Sequence, residues 1–335
     1  MSNKVVVSST QKDLHGDTLS LEHLKKGVET INGDKKMRML IDHRRDLPPI
    51  GYWTNGELEE QNEVYLLKAE PILYKSREII TGNTVLIKEA FETSVAFIER
   101  TYREGQPITL TFDKNNFESW DSVKRVVQKL TTESNQPILI KYDSRKDLTP
   151  DPRLIITLTT YYSILYPLIK PFIKKIGEKI AEDVADDVYK KAKEKGKNLL
   201  KDIEKYVTIL VKSILPKDKK LITIFEIHGK LYIELHAKTD DANLIVNALK
   251  GSKLSKLHDQ LSDFSKLIDI KEVHFKLNKK GQWKFIYLIG VDGSIIGTKD
   301  IISKRDYLQN RINLRSIKGF SIGADVSYSE NNEES

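Results

Sequence analysis

The stretch MRMLIDHRRDLPPIG, residues 37–51, runs from an apolar segment into Asp42-His43 and then into charged residues and the turn formers Pro48, Pro49 and Gly51. The apolar run Met37 to Ile41 predicts a short strand, and the prolines and glycine predict that the chain turns soon after it. A histidine at the end of a strand, facing a polar loop, can present its imidazole to a neighbouring hydroxyl and take its proton.

Around this stretch, Val5-Val6-Val7 and Val64 to Lys68 also read as strands. Gly16-Asp17, Asn32-Gly33 and Asn55-Gly56 supply turn signals between them. Leu21, Leu24, Val28 and Ile31 recur at spacings of three and four, which predicts a short helix. The first part of the chain is therefore a mixed, mainly β unit.

From Gln106 the pattern becomes β-α-β: a strand over Ile108 to Phe112, a helix over Ser119 to Leu130 and a strand over Pro137 to Tyr142. Leu154 to Ile169 is sixteen residues without a formal charge. A membrane-spanning helix needs roughly 20 apolar residues, so this run predicts a buried or interfacial helix. Ile173, Ile176, Ile180, Val184 and Val188 mark an amphipathic helix, and Asn198 to Leu215 marks a second. A hairpin follows (Leu221 to His228, Leu231 to Lys238), then helices over Asn243 to Leu249 and Leu254 to Ile268. A second hairpin joins Glu272 to Leu277 with Trp283 to Val291.

At 335 residues the chain is long enough for two compact units, and 39% hydrophobic with 31% charged residues describes a globular protein. It has no cysteine, and its first ten residues lack an apolar core of signal-peptide length, so the expected location is cytoplasmic. The net charge is +7; Lys170 to Lys220 alone holds 15 lysines against 9 acidic residues. Alternating charges of this kind usually form a solvated helix face; weak contact with an anionic membrane through 154–220 is the less common use. These helices carry no arginine and few aromatics, which argues against nucleic-acid binding.

Several chemistries lack their signatures. There is no HExxH and no close cluster of His and acidic residues at local ligand spacing, so the sequence reading expects no metal and no cofactor. GxxxxGK[ST] and GxGxxG are also missing, which argues against nucleotide binding. What remains beside His43 is Gly319-Phe320-Ser321-Ile322-Gly323, a serine between glycines that let a substrate or another backbone approach closely.

Taken in order, three patterns carry a resemblance: Ser9-Thr10, Asp13 and Gly16-Asp17; then His43 with Pro49-Ile50-Gly51; then Gly319 to Gly323. The chain thereby resembles the prohead (capsid-maturation) serine proteases of tailed phages and their prophage and bacterial relatives, over under a third of its length. The resemblance implies α+β architecture. A small, mainly β serine-protease-like domain would be built from 1–100 and 301–335, and 101–300 would be an inserted α+β region with a helical section at about 154–215. It further implies His43 as general base and Ser321 as nucleophile, with Asp13 and Gly16-Asp17 structural. Glu92 is the candidate third member and Asp325 its rival. The implied activity is a serine endopeptidase, self-processing by family habit, acting on a capsid or scaffold protein if phage-borne, with a homo-oligomer as a further option. The alternative left open is a non-catalytic protease-fold scaffold whose insert is a membrane-interacting or partner-binding effector.

Overall fold

The computed structural model describes residues 4–12, 18–82, 84–99, 107–143, 151–158, 186–214, 217–228 and 231–315. The chain order begins β1 (Val5–Ser9), α1 (Leu21–Asn32), β2 (Arg38–Met39), a 3-10 turn (Ile41–His43), β3 (Gly51–Gln61), β4 (Val64–Leu73), β5 (Ser76–Ile80) and β6 (Leu86–Ala90). It continues with β7 (Ile108–Asp113), α2 (Trp120–Glu133), β8 (Ile138–Asp143), β9 (Arg153–Leu158), α3 (Asp186–Ser213), β10 (Ile222–Ile227) and β11 (Tyr232–Lys238). Then come α4 (Ala242–Ala248), α5 (Gly251–Phe264), β12 (Ile270–Leu277), β13 (Trp283–Gly290), β14 (Ile295–Thr298) and α6 (Lys299–Arg315). The protein is mixed α+β with strands predominating.

The described residues of Met1–Glu99 and Val291–Ser335 form one compact unit, and those of Arg100–Ser144 and Thr149–Gly290 form another. The first unit is discontinuous. Its antiparallel sheet has the order β1-β4-β3-β2. Helix α1 packs on this sheet through Leu24, Gly27 and Ile31, and Ser20 caps it by accepting a bond from the His23 amide at 3.2 Å. Val7, Ile31, Met37, Met39, Ile41, Trp53 and Leu67 form the core, and Leu308 of α6 packs against it. A second set of strands, β5-β6-β14, is antiparallel and joins residues 76–90 to residues 295–298.

In the second unit the strands run in the order β13-β12-β11-β10-β9-β7-β8. Residues alternate between two faces along each strand. Leu110, Leu154, Ile156, Phe225, Ile227, Ile233, Leu235 and Val273 are buried on one face. Helices α2 and α3 also bury apolar stripes, Val123, Val126 and Leu130 on α2 and Leu199, Ile203, Tyr206, Val207 and Leu210 on α3. The opposite face carries polar residues at the middle of β9 to β13.

Leu154 to Leu158 corrects the expected helix. It is strand β9, parallel to β10 and antiparallel to β7. A strand with neighbours on both sides and both faces covered reads as a continuous apolar run, as a buried helix does, so composition could not separate them. Residues 159–169 lie outside the described set. Among the described residues no helix is long and apolar enough to cross a membrane.

Candidate functional site

In the first unit the expected strand at Met37 to Ile41 is shorter than its sequence suggests. Pairing stops at Met39, and Ile41–His43 closes into a 3-10 turn in which the Arg44 amide donates to the Ile41 carbonyl at 2.9 Å. His43 lies in the left-handed region at φ 50°, a strained position for a residue with a Cβ. Leu40, Ile41, Leu47 and Ile50 around it are buried, and the His43 ring is half-buried. Arg44 grips Asp46 with two bonds of 3.0 and 2.9 Å, stiffening the loop.

The PIG segment has a structural reason. Gly51 pairs with Leu73 across β3 and β4, and a Cβ there would stand 1.9 Å from the Ile72 carbonyl oxygen, so only glycine fits. Thr10 is structural as well: its amide donates to the Tyr65 carbonyl, and its hydroxyl accepts from the Tyr65 amide, both at 3.0 Å.

Helix α6 is fastened to this loop by a buried guanidinium. Arg305 donates to Glu89 Oε2 at 2.6 Å and Oε1 at 2.9 Å, to Asp306 Oδ1 at 2.7 Å, and to the Pro49 carbonyl at 3.1 Å. Arg77 completes the network through Glu89 and, at 2.8 Å, Asp306. Burial opposes the charge on Arg305, but the bonds and charges of Glu89 and Asp306 outweigh it and raise its pKa.

Of the other sequence candidates, Glu92 is exposed in a bend after β6, in a stretch that forms no strand. The packing there belongs to its neighbour Phe91, stacked on Tyr74 at 4.2 Å. Ser321, its glycines, Asp325, Asp13, Gly16 and Asp17 lie outside the described residues.

The second unit holds a constellation that local spacing did not reveal. On the polar face, register places Thr157 of β9, Glu226 of β10, Glu234 of β11, His274 of β12 and Tyr287 of β13 in one lateral row. Glu234, Glu272, His236 and His274 are each no more than 3% exposed. Glu234 Oε2 lies 3.0 Å from His236 Nε2 and 3.4 Å from His274 Nδ1, and the two ring nitrogens are 3.2 Å apart. These three atoms converge on one point and could hold a metal ion.

Each of two donors is braced from behind. Glu272 Oε1 accepts from His274 Nε2 at 2.5 Å, and the Tyr232 hydroxyl donates to Glu234 Oε1 at 2.6 Å. Tyr287 stacks on the His274 ring, 4.0 Å between centroids. Farther along the row, Thr157 donates to Glu226 Oε2 at 2.7 Å, and His228 Nε2 lies 3.5 Å from that same oxygen. Burial works against a proton on His274, but Glu234 and Glu272 outweigh it and raise its pKa above the ordinary value.

The sequence does contain a signal for this cluster, though not the helical HExxH. Glu226-x-His228, Glu234-x-His236 and Glu272-x-His274 are three repeats of E-x-H. A spacing of two puts both side chains on one face of a strand. Only the pairing of β10, β11 and β12 then brings the repeats together, which corrects the expectation that no cluster of His and acidic residues exists. Compared with models of protein families, with curated proteins and with solved structures, the chain matches none. The prohead-protease resemblance therefore stands on its three motifs.

Proposed function

We propose that the first unit is a serine endopeptidase of the prohead-protease type, with His43 as general base and Ser321 as nucleophile. The observation that carries this reading is the docking of α6, the last described element before the GFSIG segment, on the loop that bears His43. Leu308 packs on the core that includes Ile41, and Arg305 donates to the Pro49 carbonyl. From Leu308 to Arg315 the helix advances about 10 Å. Six more residues lead to Ser321 and can span at most about 20 Å. In this reading that tether carries the serine back to the imidazole.

The chemistry asks little beyond that meeting. A serine hydroxyl is a weak nucleophile at neutral pH, so His43 takes its proton as Ser321 attacks a peptide carbonyl, then returns it to the leaving amine. Backbone amides near Gly323 serve as donors to the oxyanion. The acid that orients His43 is Glu92 or Asp325 in this reading, and the exposure of Glu92 favours Asp325. The protein substrate is a capsid or scaffold protein if the chain is phage-borne, and the second unit selects substrate or partner.

The test is incubation of the purified chain, alone and with a casein substrate, followed by intact-mass spectrometry. Wild type should yield time-dependent fragments, while Ser321→Ala and His43→Ala, with unchanged circular dichroism, should yield none. Fragments from either variant at the wild-type rate would refute the assignment. So would a folded wild-type protein that cleaves neither itself nor casein and whose Ser321 does not react with a fluorophosphonate.

A further inference from the structure

We infer that the second unit contains a mononuclear site for a divalent transition metal, with Glu234, His236 and His274 as its protein ligands. This inference is independent of the peptidase reading, which concerns the other unit.

The spacing of the donors comes first. A tetrahedral ion with bonds of about 2.0–2.1 Å holds its ligand atoms about 3.3–3.4 Å apart, and an octahedral one about 2.9 Å. The three separations, 3.0, 3.2 and 3.4 Å, fall across that interval. Three atoms so placed, each about 2 Å from an ion above their plane, form one triangular face of its coordination shell. They leave one position open if the ion takes four ligands, and three if it takes six.

The second feature is the bracing. Metal-bound histidines usually pass their other N–H to a carboxylate, which fixes the ring and strengthens the donor. His274 offers Nδ1 to the shared point while Nε2 meets Glu272, and Glu234 offers Oε2 while Oε1 accepts from Tyr232. A buried ion pair needs only one contact atom per partner. Here the outward atoms of both groups are also occupied, and the inward ones all face the same point.

The third is charge. Glu234 and Glu272 flank His274 with almost no exposure, and Glu226 stands beside Glu234 on the neighbouring strand. Carboxylates removed from water must be neutralised, and a divalent cation does so at the one place the donors share. Two imidazoles and one carboxylate suit Zn²⁺, with Co²⁺ as its spectroscopic substitute and Fe²⁺ as the other ion of this ligand class.

The experiment strips the full-length protein with a chelator and titrates it with Zn²⁺ and Co²⁺ by calorimetry and absorption. One ion per chain is expected, with Co²⁺ d–d bands and a rise in melting temperature that chelator reverses. His236→Asn and His274→Asn should weaken binding at least about 100-fold, and Glu272→Gln, which alters only the brace, about 10–100-fold. Glu234→Gln nearly conserves volume and guards against variants that fail to fold. His228→Asn, outside the donor set, should bind as wild type does. Absence of micromolar binding to the folded wild type would overturn the inference. So would unchanged affinity in folded His236→Asn and Glu234→Gln, or a loss confined to His228→Asn.

Discussion

Replacing Arg305 by methionine keeps a long apolar stem and removes the guanidinium that joins α6 to the His43 loop. Arg305 and Glu89 side chains are 4% and 3% exposed. In R305M, Glu89 keeps Arg77, and the Pro49 carbonyl loses its bond from Arg305. Breaking one side of a buried, hydrogen-bonded ion pair costs about 3–5 kcal/mol, because the remaining charge stays out of water. The first unit should lose about that much. Removing both partners should cost far less: in R305M/E89M, Arg77 still has Asp306 at 2.8 Å, and stability should return to within about 1–2 kcal/mol of wild type. Trp53 is fully buried in this unit, whereas Trp120 and Trp283 belong to the other. A W120F/W283F background therefore makes urea unfolding, followed by indole emission, specific to the first unit. A single substitution costing under about 1 kcal/mol, or a double variant less stable than R305M, would refute the reasoning. In the endopeptidase reading R305M should also lower kcat, since α6 leads directly to the serine segment.

Other outcomes follow from single positions. Gly51→Ala sets a Cβ against the Ile72 carbonyl and should cost the first unit about 3 kcal/mol or more; an emission midpoint equal to wild type would contradict the close approach. In metal-free protein the raised pKa of His274 means that the folded state holds a proton the unfolded chain has released. Its stabilising contribution is therefore complete below about pH 6.5 and fades as pH rises through the raised value. Denaturation of chelator-treated protein should show this loss setting in as pH rises above about 6.5 in wild type and not in His274→Asn. Tyr232→Phe removes the hydroxyl on Glu234 and should weaken Zn²⁺ binding about 10-fold with the fold kept, as calorimetry and circular dichroism can check.

Local patterns were the legible part of the fold. Helix α1 declares itself through Leu24 and Ile31 and the Ser20 cap, and the β10–β11 and β12–β13 hairpins through their turns. What depends on partners far along the chain was not legible. Leu154 to Leu158 becomes a strand because β7 and β10 flank it, and nothing inside the run distinguishes that from a buried helix. The strand before His43 stops at Met39, since the histidine sits in a left-handed turn that its sequence does not announce. The E-x-H repeats were visible as letters, but Glu234 and His274 are 40 positions apart and meet only because β11 and β12 pair in parallel.

The discontinuity of the first unit also sets an order of events in the living cell. Strand β6 waits for β14, and the Pro49 carbonyl and Glu89 wait for Arg305, until about 200 intervening residues have left the ribosome. At about 5–20 residues per second that delay is on the order of 10–40 s. Throughout it the strands β1 to β6 lack β14 and α6, and Glu89 lacks Arg305. In the endopeptidase reading the chain would be silent while nascent, its chemistry withheld until the second half of its own wall arrives.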